Sequence, residues 1–453
     1  MIRIIVLASI LWTMPVIFSG IAALGGEAVA AEKEKKKKTR RVPALRESTY
    51  RRLGEAQLMI DPESVPREEG EPVPEATGTP RDAVNLLMDF LNKRGLNSYE
   101  KAQIWNTLAF AYYTLEDMKN TIHSYEMVLQ QGVISEALEQ QSLRALFQLH
   151  FGEGNYRKAI EYITKFEEAR GQLDAAITFW KALAYYSLDE FPEALKYAVL
   201  VEEVANEQGK EMEENWWYLQ VVLYNTLQDV DNVIVVLEKL IVHYPKKSYW
   251  MLLAGMYSEK EWDDQSLSAY YAAYTQGFFV RESEIVMLSQ RLLNAEVPYE
   301  AAEVLEQGFT NKILKNTEKN LKLLATSYTM AQEVEKAITA WENAAKKVGS
   351  GENYYRLAQA LAHEEHHSKA IKAYRSSLNT KDLVRKKESD AYFWMGISLM
   401  ALDRWDEAVR AFRSSQKADA KKRKMVAQYI TYITGEKRRL AELKRMQEST
   451  GAE

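Results

Sequence analysis

The chain has 453 residues, 47% of them hydrophobic and 27% charged, with a formal net charge of −5 at pH 7. That balance supplies apolar material for a core and offers no basic surplus of the kind that nucleic-acid binders carry. Cysteine is absent, which excludes disulfides, thiolate metal sites, a cysteine nucleophile and a lipid anchor on an N-terminal cysteine.

Residues 1–31 have the layout of an export signal. Arg3 gives a small positive start, residues 4–18 are an apolar run, and Ala28-Val29-Ala30 is the small-x-small pattern read by a signal peptidase. The expectation is cleavage near Ala30 and Ala31 and a periplasmic mature chain. The apolar stretch runs on to Gly26, almost long enough to span a bilayer. Lysines follow it, where positive charge resists translocation. The alternative is therefore an N-terminal anchor in the inner membrane, with the body facing the periplasm. The basic linker at 32–43 carries Lys33, Lys35, Lys36, Lys37 and Lys38, which suit an anionic membrane surface or else form a solvated linker. No later segment reaches about 18 uninterrupted apolar residues.

Beyond the linker, apolar residues recur at i, i+3, i+4 and i+7, and strand signals are scarce. Residues 44–60 and 82–91 are amphipathic, with a Pro- and Glu-rich stretch at 62–80 between them. The whole segment 44–97 reads as a degenerate N-terminal repeat with an insertion. From 98 to 420 a longer period takes over, clearest in LATSYTMAQEVEKAITAWENA (324–344), ALAYYSLDEFPEALKYA (182–198) and MGISLMALDRWDEAVRAF (395–412). The small residue opening each second helix is a ruler: Thr121, Ala159, Ala194, Val233, Ser266, Ala301, Ala337, Ala370 and Ala408, spaced 33 to 39 apart. In one unit Leu321, Leu324, Ala325 and Tyr328 make one apolar stripe, and Ala337, Trp341 and Ala344 make its partner. Small residues mark where two helices approach; large ones fill the space around them. Residues 421–453 are a basic helical stretch interrupted at Gly435, read as a solvating cap, with an anionic-ligand site as the alternative.

These residues resemble the tetratricopeptide repeat, and the likeness covers about nine units between 99 and 420. It implies an all-α, right-handed solenoid of nine to ten helix–turn–helix repeats closed by a C-terminal capping helix. Three positions depart from the pattern. Lys181 and Gln220 stand where the family usually has Leu, and His150 replaces a Tyr. Stacked pairs of helices present their first helices to a groove, and there the sequence places Asn106, Phe110, Tyr113, Arg144, Gln148, Phe179, Leu183, Tyr186, Tyr218 and Val222. This aromatic and amide set suits a protein or peptide partner. It lacks the basic clamp that some family members use for a C-terminal carboxylate. The run LNSYEKAQIWNTLAFAYY (96–113), with ALREST-YRRLGEAQ before it and the export signal, resembles periplasmic tetratricopeptide proteins of TonB energy-transduction systems. That resemblance implies TonB-, ExbB- or ExbD-like partners. An envelope-biogenesis adaptor recruiting peptidoglycan or outer-membrane assembly factors is the alternative.

One motif points to catalysis. His363-Glu364-Glu365-His366-His367 fits H-E-x-x-H, in which one helix face offers two imidazoles to zinc and the Glu acts on bound water. Glu388 is the possible third ligand. The repeat register sets the motif across a turn, so the expectation is no enzyme, no cofactor and no metal site, with His363 and His367 as the residues a metal would use.

Overall fold

The computed structural model describes residues 40, 42–64 and 74–450. The export signal expected at 1–31, Lys33, Lys35, Lys36, Lys37, Lys38 and the middle of the insertion lie outside the described residues. Among the described residues, all regular structure is helical, in line with the apolar periodicity. The chain divides into two units, residues 1–245 and 246–453.

In the first unit, α1 (Glu47–Ile60) pairs with α2 (Pro80–Leu91) across the long connection that holds the insertion. Four hairpins follow: α3 (Ser98–Thr114) with α4 (Met118–Leu129), α5 (Glu136–Gly152) with α6 (Tyr156–Arg170), α7 (Ala175–Ser187) with α8 (Phe191–Glu207), and α9 (Glu214–Thr226) with α10 (Val230–His243). The second unit repeats the scheme with five hairpins: α11 (Lys247–Glu259) and α12 (Asp263–Thr275), α13 (Glu282–Asn294) and α14 (Pro298–Thr310), α15 (Glu318–Met330) and α16 (Val334–Lys347), α17 (Gly351–His363) and α18 (His367–Asn379), α19 (Arg385–Ala401) and α20 (Trp405–Ala418). A last helix, α21 (Arg423–Thr450), packs on α20.

A single turn chemistry makes each of the last nine hairpins. The first helix ends on a left-handed residue: Glu116, Gly154, Asp189, Gln228, Glu261, Glu296, Gln332, Glu365 or Asp403. Its N–H reaches back three residues, and the next N–H reaches back five at 2.8–3.0 Å, as in Asp117 to the Tyr112 carbonyl and Arg404 to the Leu399 carbonyl. These two bonds satisfy carbonyls that the helix end would otherwise leave open. Only one of the nine is glycine, so the others accept a steric cost on the order of 1 kcal/mol in return for a fixed turn. Each left-handed residue lies five positions before a residue of the ruler, and every ruler residue is buried. The repeat register expected from the sequence is the register of the turns.

Helix starts are equally local. Asn97 accepts the Glu100 N–H while the Glu100 carboxylate accepts the Asn97 N–H, closing a capping box. Glu100 is fully buried and also receives Arg46 at 2.6 Å and the Thr49 hydroxyl at 2.8 Å, tying α1 to α3. The Arg46 guanidinium, opposed by burial and helped by the Asn97 N–H and Thr49, holds the Glu100 carboxyl down at about 2.

Polar bonds between the starts of successive first helices link every neighbouring pair in the second unit. Lys247 donates to Glu284 at 2.5 Å, Asn320 to Glu282 at 3.1 Å and Asn353 to Glu318 at 3.2 Å; Lys387 meets Glu352, and Lys422 meets Asp390. Burial pushes the Glu284 carboxyl up, yet Lys247, Arg281 and two backbone N–H groups outweigh it and hold the group at about 2.

The cap differs from expectation in one respect. Gly435 does not interrupt it, because α21 runs unbroken through that position; a lone glycine costs a helix only about 1 kcal/mol. The first half of α21 is docked, with Val426 and Ile433 buried and the Tyr429 ring 5.4 Å from Phe393 and 5.2 Å from Phe412. Residues 437–446 are exposed.

Candidate binding surface

The first helix of each hairpin positions the side chains assigned to the groove. Arg144 is exposed, and Asn106, Tyr113, Gln148 and Tyr218 are partly exposed on α3, α5 and α9. The other five correct the sequence reading at their positions: Phe110, Phe179, Leu183, Tyr186 and Val222 are all buried. Their spacing also fits the face on which the next hairpin stacks. Phe179 packs 6.2 Å from Trp216 of the following first helix, and Tyr186 lies 5.8 Å from Phe191 across its own turn. Phe110 belongs to a core cluster with Leu87 and Leu108. The accessible half of the set is its more polar half, Asn106, Tyr113, Arg144, Gln148 and Tyr218.

The three departures from the repeat pattern are all buried and each has a specific surrounding. Lys181 donates to Glu167 at 2.7 Å and lies 4.8 Å from the Tyr197 ring, with both charged side chains nearly enclosed. Gln220 donates to the Ala198 carbonyl at 2.9 Å. His150 stacks on Tyr162 at 5.4 Å, and among the described residues neither ring nitrogen has a hydrogen-bond partner. Burial lowers its imidazole, with Lys158 adding to the effect and Glu126, Glu161 and Glu153 opposing it. His150 packs within its own hairpin, whereas Lys181 and Gln220 each tie a first helix to the hairpin before it.

The zinc-like motif lies across a turn, as its register requires. α17 ends at His363, Glu365 takes the left-handed conformation, and α18 begins at His367. The helix that would align both imidazoles is broken between them. Among the described residues no three His, Cys, Asp or Glu side chains gather where a metal could bind, so Glu388 does not complete a set. His363 and His367 instead line a hollow of about 260 Å³ together with Gln359, Ala362, Tyr374, Trp394, Ile397 and Ser398. A second hollow, of about 500 Å³, is open and lies among α12, α13 and α14.

Two segments match models of the tetratricopeptide repeat, residues 144–207 and residues 390–420. The first spans most of α5 through α8, and the second spans most of α19 and all of α20. The chain contains tetratricopeptide repeats. No curated protein matches it in sequence. Among solved structures it is similar to the MamA protein, with 22% identity over 39% of this chain and 93% of that one and a TM-score of 0.32. It is similar to the C-terminal part of a tetratricopeptide repeat-containing protein of Cytophaga hutchinsonii, at 16% identity, 61% and 95% coverage and a TM-score of 0.31. A third is the TPR2AB domain of yeast Sti1 in complex with pHSP90, at 15% identity, 65% and 98% coverage and a TM-score of 0.25. The tetratricopeptide hairpins here carry their chemistry on side chains between turns of fixed geometry, and the repeats at α5–α8 hold two of the three departures.

Proposed function

We propose that this chain is a non-catalytic scaffold of the bacterial cell envelope that holds a protein or peptide partner on the first helices of its tetratricopeptide hairpins, as an accessory to TonB-type energy transduction. The observation that carries the scaffold reading is the repeated hairpin itself, built on one turn geometry and matched to the tetratricopeptide family at two places. Hairpins of this kind spend their sequence on stacking and leave the accessible side chains of their first helices for recognition. In the first unit Arg144 is exposed and Asn106, Tyr113, Gln148 and Tyr218 are partly exposed among such side chains. Supporting the non-catalytic reading, the zinc-like motif is split by a turn. The envelope address rests on the export-signal layout of residues 1–31 and the TonB association on the resemblance of residues 96–113.

Cross-linking in living cells, with a photoreactive residue at Tyr113 or Tyr218, tests the reading. Recovery of TonB-, ExbB- or ExbD-like proteins is the expected result. Recovery of cell-wall synthases alone would replace the TonB assignment with the envelope-biogenesis adaptor. A chain that stays in the cytoplasm after fractionation would sink both.

A further inference from the structure

We propose that the hollow walled by α17, α18 and α19 is a recognition pocket for one tyrosine side chain of a partner peptide. The inference rests on the scaffold reading above and names the chemistry that one place on the scaffold accepts.

Size comes first. A cavity of about 150 Å³ accepts a benzene ring, so a hollow of about 260 Å³ has room for one phenol and not for a helix. Its apolar wall is made by Ala362, Tyr374, Ile397 and Trp394. Trp394 is 45% exposed, whereas Phe393 and Met395 beside it are buried. An indole left half open at the edge of a hollow is the kind of anchor on which peptide recognition concentrates.

The polar wall decides which ring fits. Gln359 is already engaged, donating to the Tyr355 hydroxyl at 3.1 Å and accepting from Arg356. His363 faces Glu364, with Nδ1 at 3.3 Å from the carboxylate. Ser398 is fully buried, and among the described residues neither its Oγ nor the buried Nδ1 of His367 has a partner. The contrast with another repeat is direct. Ser327, one residue before the turn-closing Tyr328, donates to the Leu323 carbonyl at 2.9 Å. Ser398, one residue before the turn-closing Leu399, makes no such bond. Native interiors seldom leave polar atoms in that state.

A serine hydroxyl and a neutral imidazole can each donate or accept, and a phenol hydroxyl does one of each. A tyrosine hydroxyl brings both the donor and the acceptor that such groups lack, while phenylalanine would fill the space and bring neither. The lining has no Lys, Arg, Asp or Glu, so a charged side chain would meet no permanent counter-charge. Sites built around unmet hydrogen bonds discriminate sharply against ligands that lack the matching group.

The test uses the full chain labelled with fluorotryptophan, the Trp394 signal being assigned by Trp394→Phe. Fluorine NMR follows that signal during titration with N-acetyl-L-tyrosinamide, and in parallel with N-acetyl-L-phenylalaninamide. A saturable shift with the tyrosine amide is expected, with affinity falling at least about five-fold for the phenylalanine amide and for Ser398→Ala, as loss of one hydrogen bond implies. Ser398→Ala removes no bond made in the folded chain, so folding is preserved. No shift, an equal response to both amides, or an undiminished response in Ser398→Ala would overturn the proposal. The probe is a single amino acid, so its failure leaves cross-linked partner recovery standing. Loss of partner recovery with intact tyrosine-amide binding would sink the scaffold reading alone.

Discussion

His150 shows how one side chain ties stability to pH. It fills the place of a repeat tyrosine, stacked on Tyr162 with both nitrogens buried and its imidazole lowered below 6.5 by burial, with Lys158 assisting against Glu126, Glu161 and Glu153. Above pH 6.5 the ring is neutral in both folded and unfolded chains, so it contributes no slope. Below that, the unfolded chain takes up a proton that the folded chain refuses, and stability is lost as pH falls toward the lowered folded value. His150→Phe keeps the shape and removes the proton site. The difference in unfolding free energy between the parent chain and this variant should change by up to about 1.4 kcal/mol per pH unit below 6.5 and stay constant above it. Denaturant titrations at several pH values check this, and a difference that is flat throughout would exclude His150 as the source. The sequence marked His150 as a departure from the pattern. Its stacking partner was not legible, because that ring belongs to α6 and only the folded hairpin brings the two together.

At the scale of the element, Lys181 and Glu167 pose a harder problem for the same stretch of repeats. A buried ion pair loses hydration on both partners, and the attraction between them offsets this only when both are present. Glu167→Ala should therefore destabilise the chain by about 3–5 kcal/mol, and the pair Lys181→Leu with Glu167→Leu should recover most of it or exceed the parent. Thermal unfolding of Lys181→Leu, of Glu167→Leu and of the double variant decides the point. Additive losses would mean that the charges do not depend on each other. The hairpin turns are the opposite case. Eight of the nine left-handed turn residues are not glycine, so the usual turn signal is missing, yet the ruler five residues later located every turn. Small residues at a helix crossing are imposed by distance, and that requirement shows in a sequence more plainly than a backbone angle does.

On the scale of the whole molecule, the end of the array tests the repeat logic. Val426 and Ile433 of α21 are buried, and Tyr429 closes over the Phe393 and Phe412 rings. Deleting residues 423–453 should cost the second unit about 3–6 kcal/mol for Val426 and Ile433 together. It should also expose an aromatic face that drives association. Calorimetry and light scattering read both effects, and an unchanged unfolding temperature would show that α21 is only an appendage.

The sequence by itself determined the helical class, the number of hairpins and their register, because periodicity and small-residue spacing are local requirements that each repeat states again. It also placed the zinc-like motif across a turn, since that follows from register alone. Tertiary structure decided which groove candidates are accessible. Phe110, Phe179, Leu183, Tyr186 and Val222 stand on a face whose exposure depends on how closely the next hairpin stacks. The same stacking set His367 of α18 beside Trp394 and Ser398 of α19 around one hollow. No spacing within a single helix records that meeting.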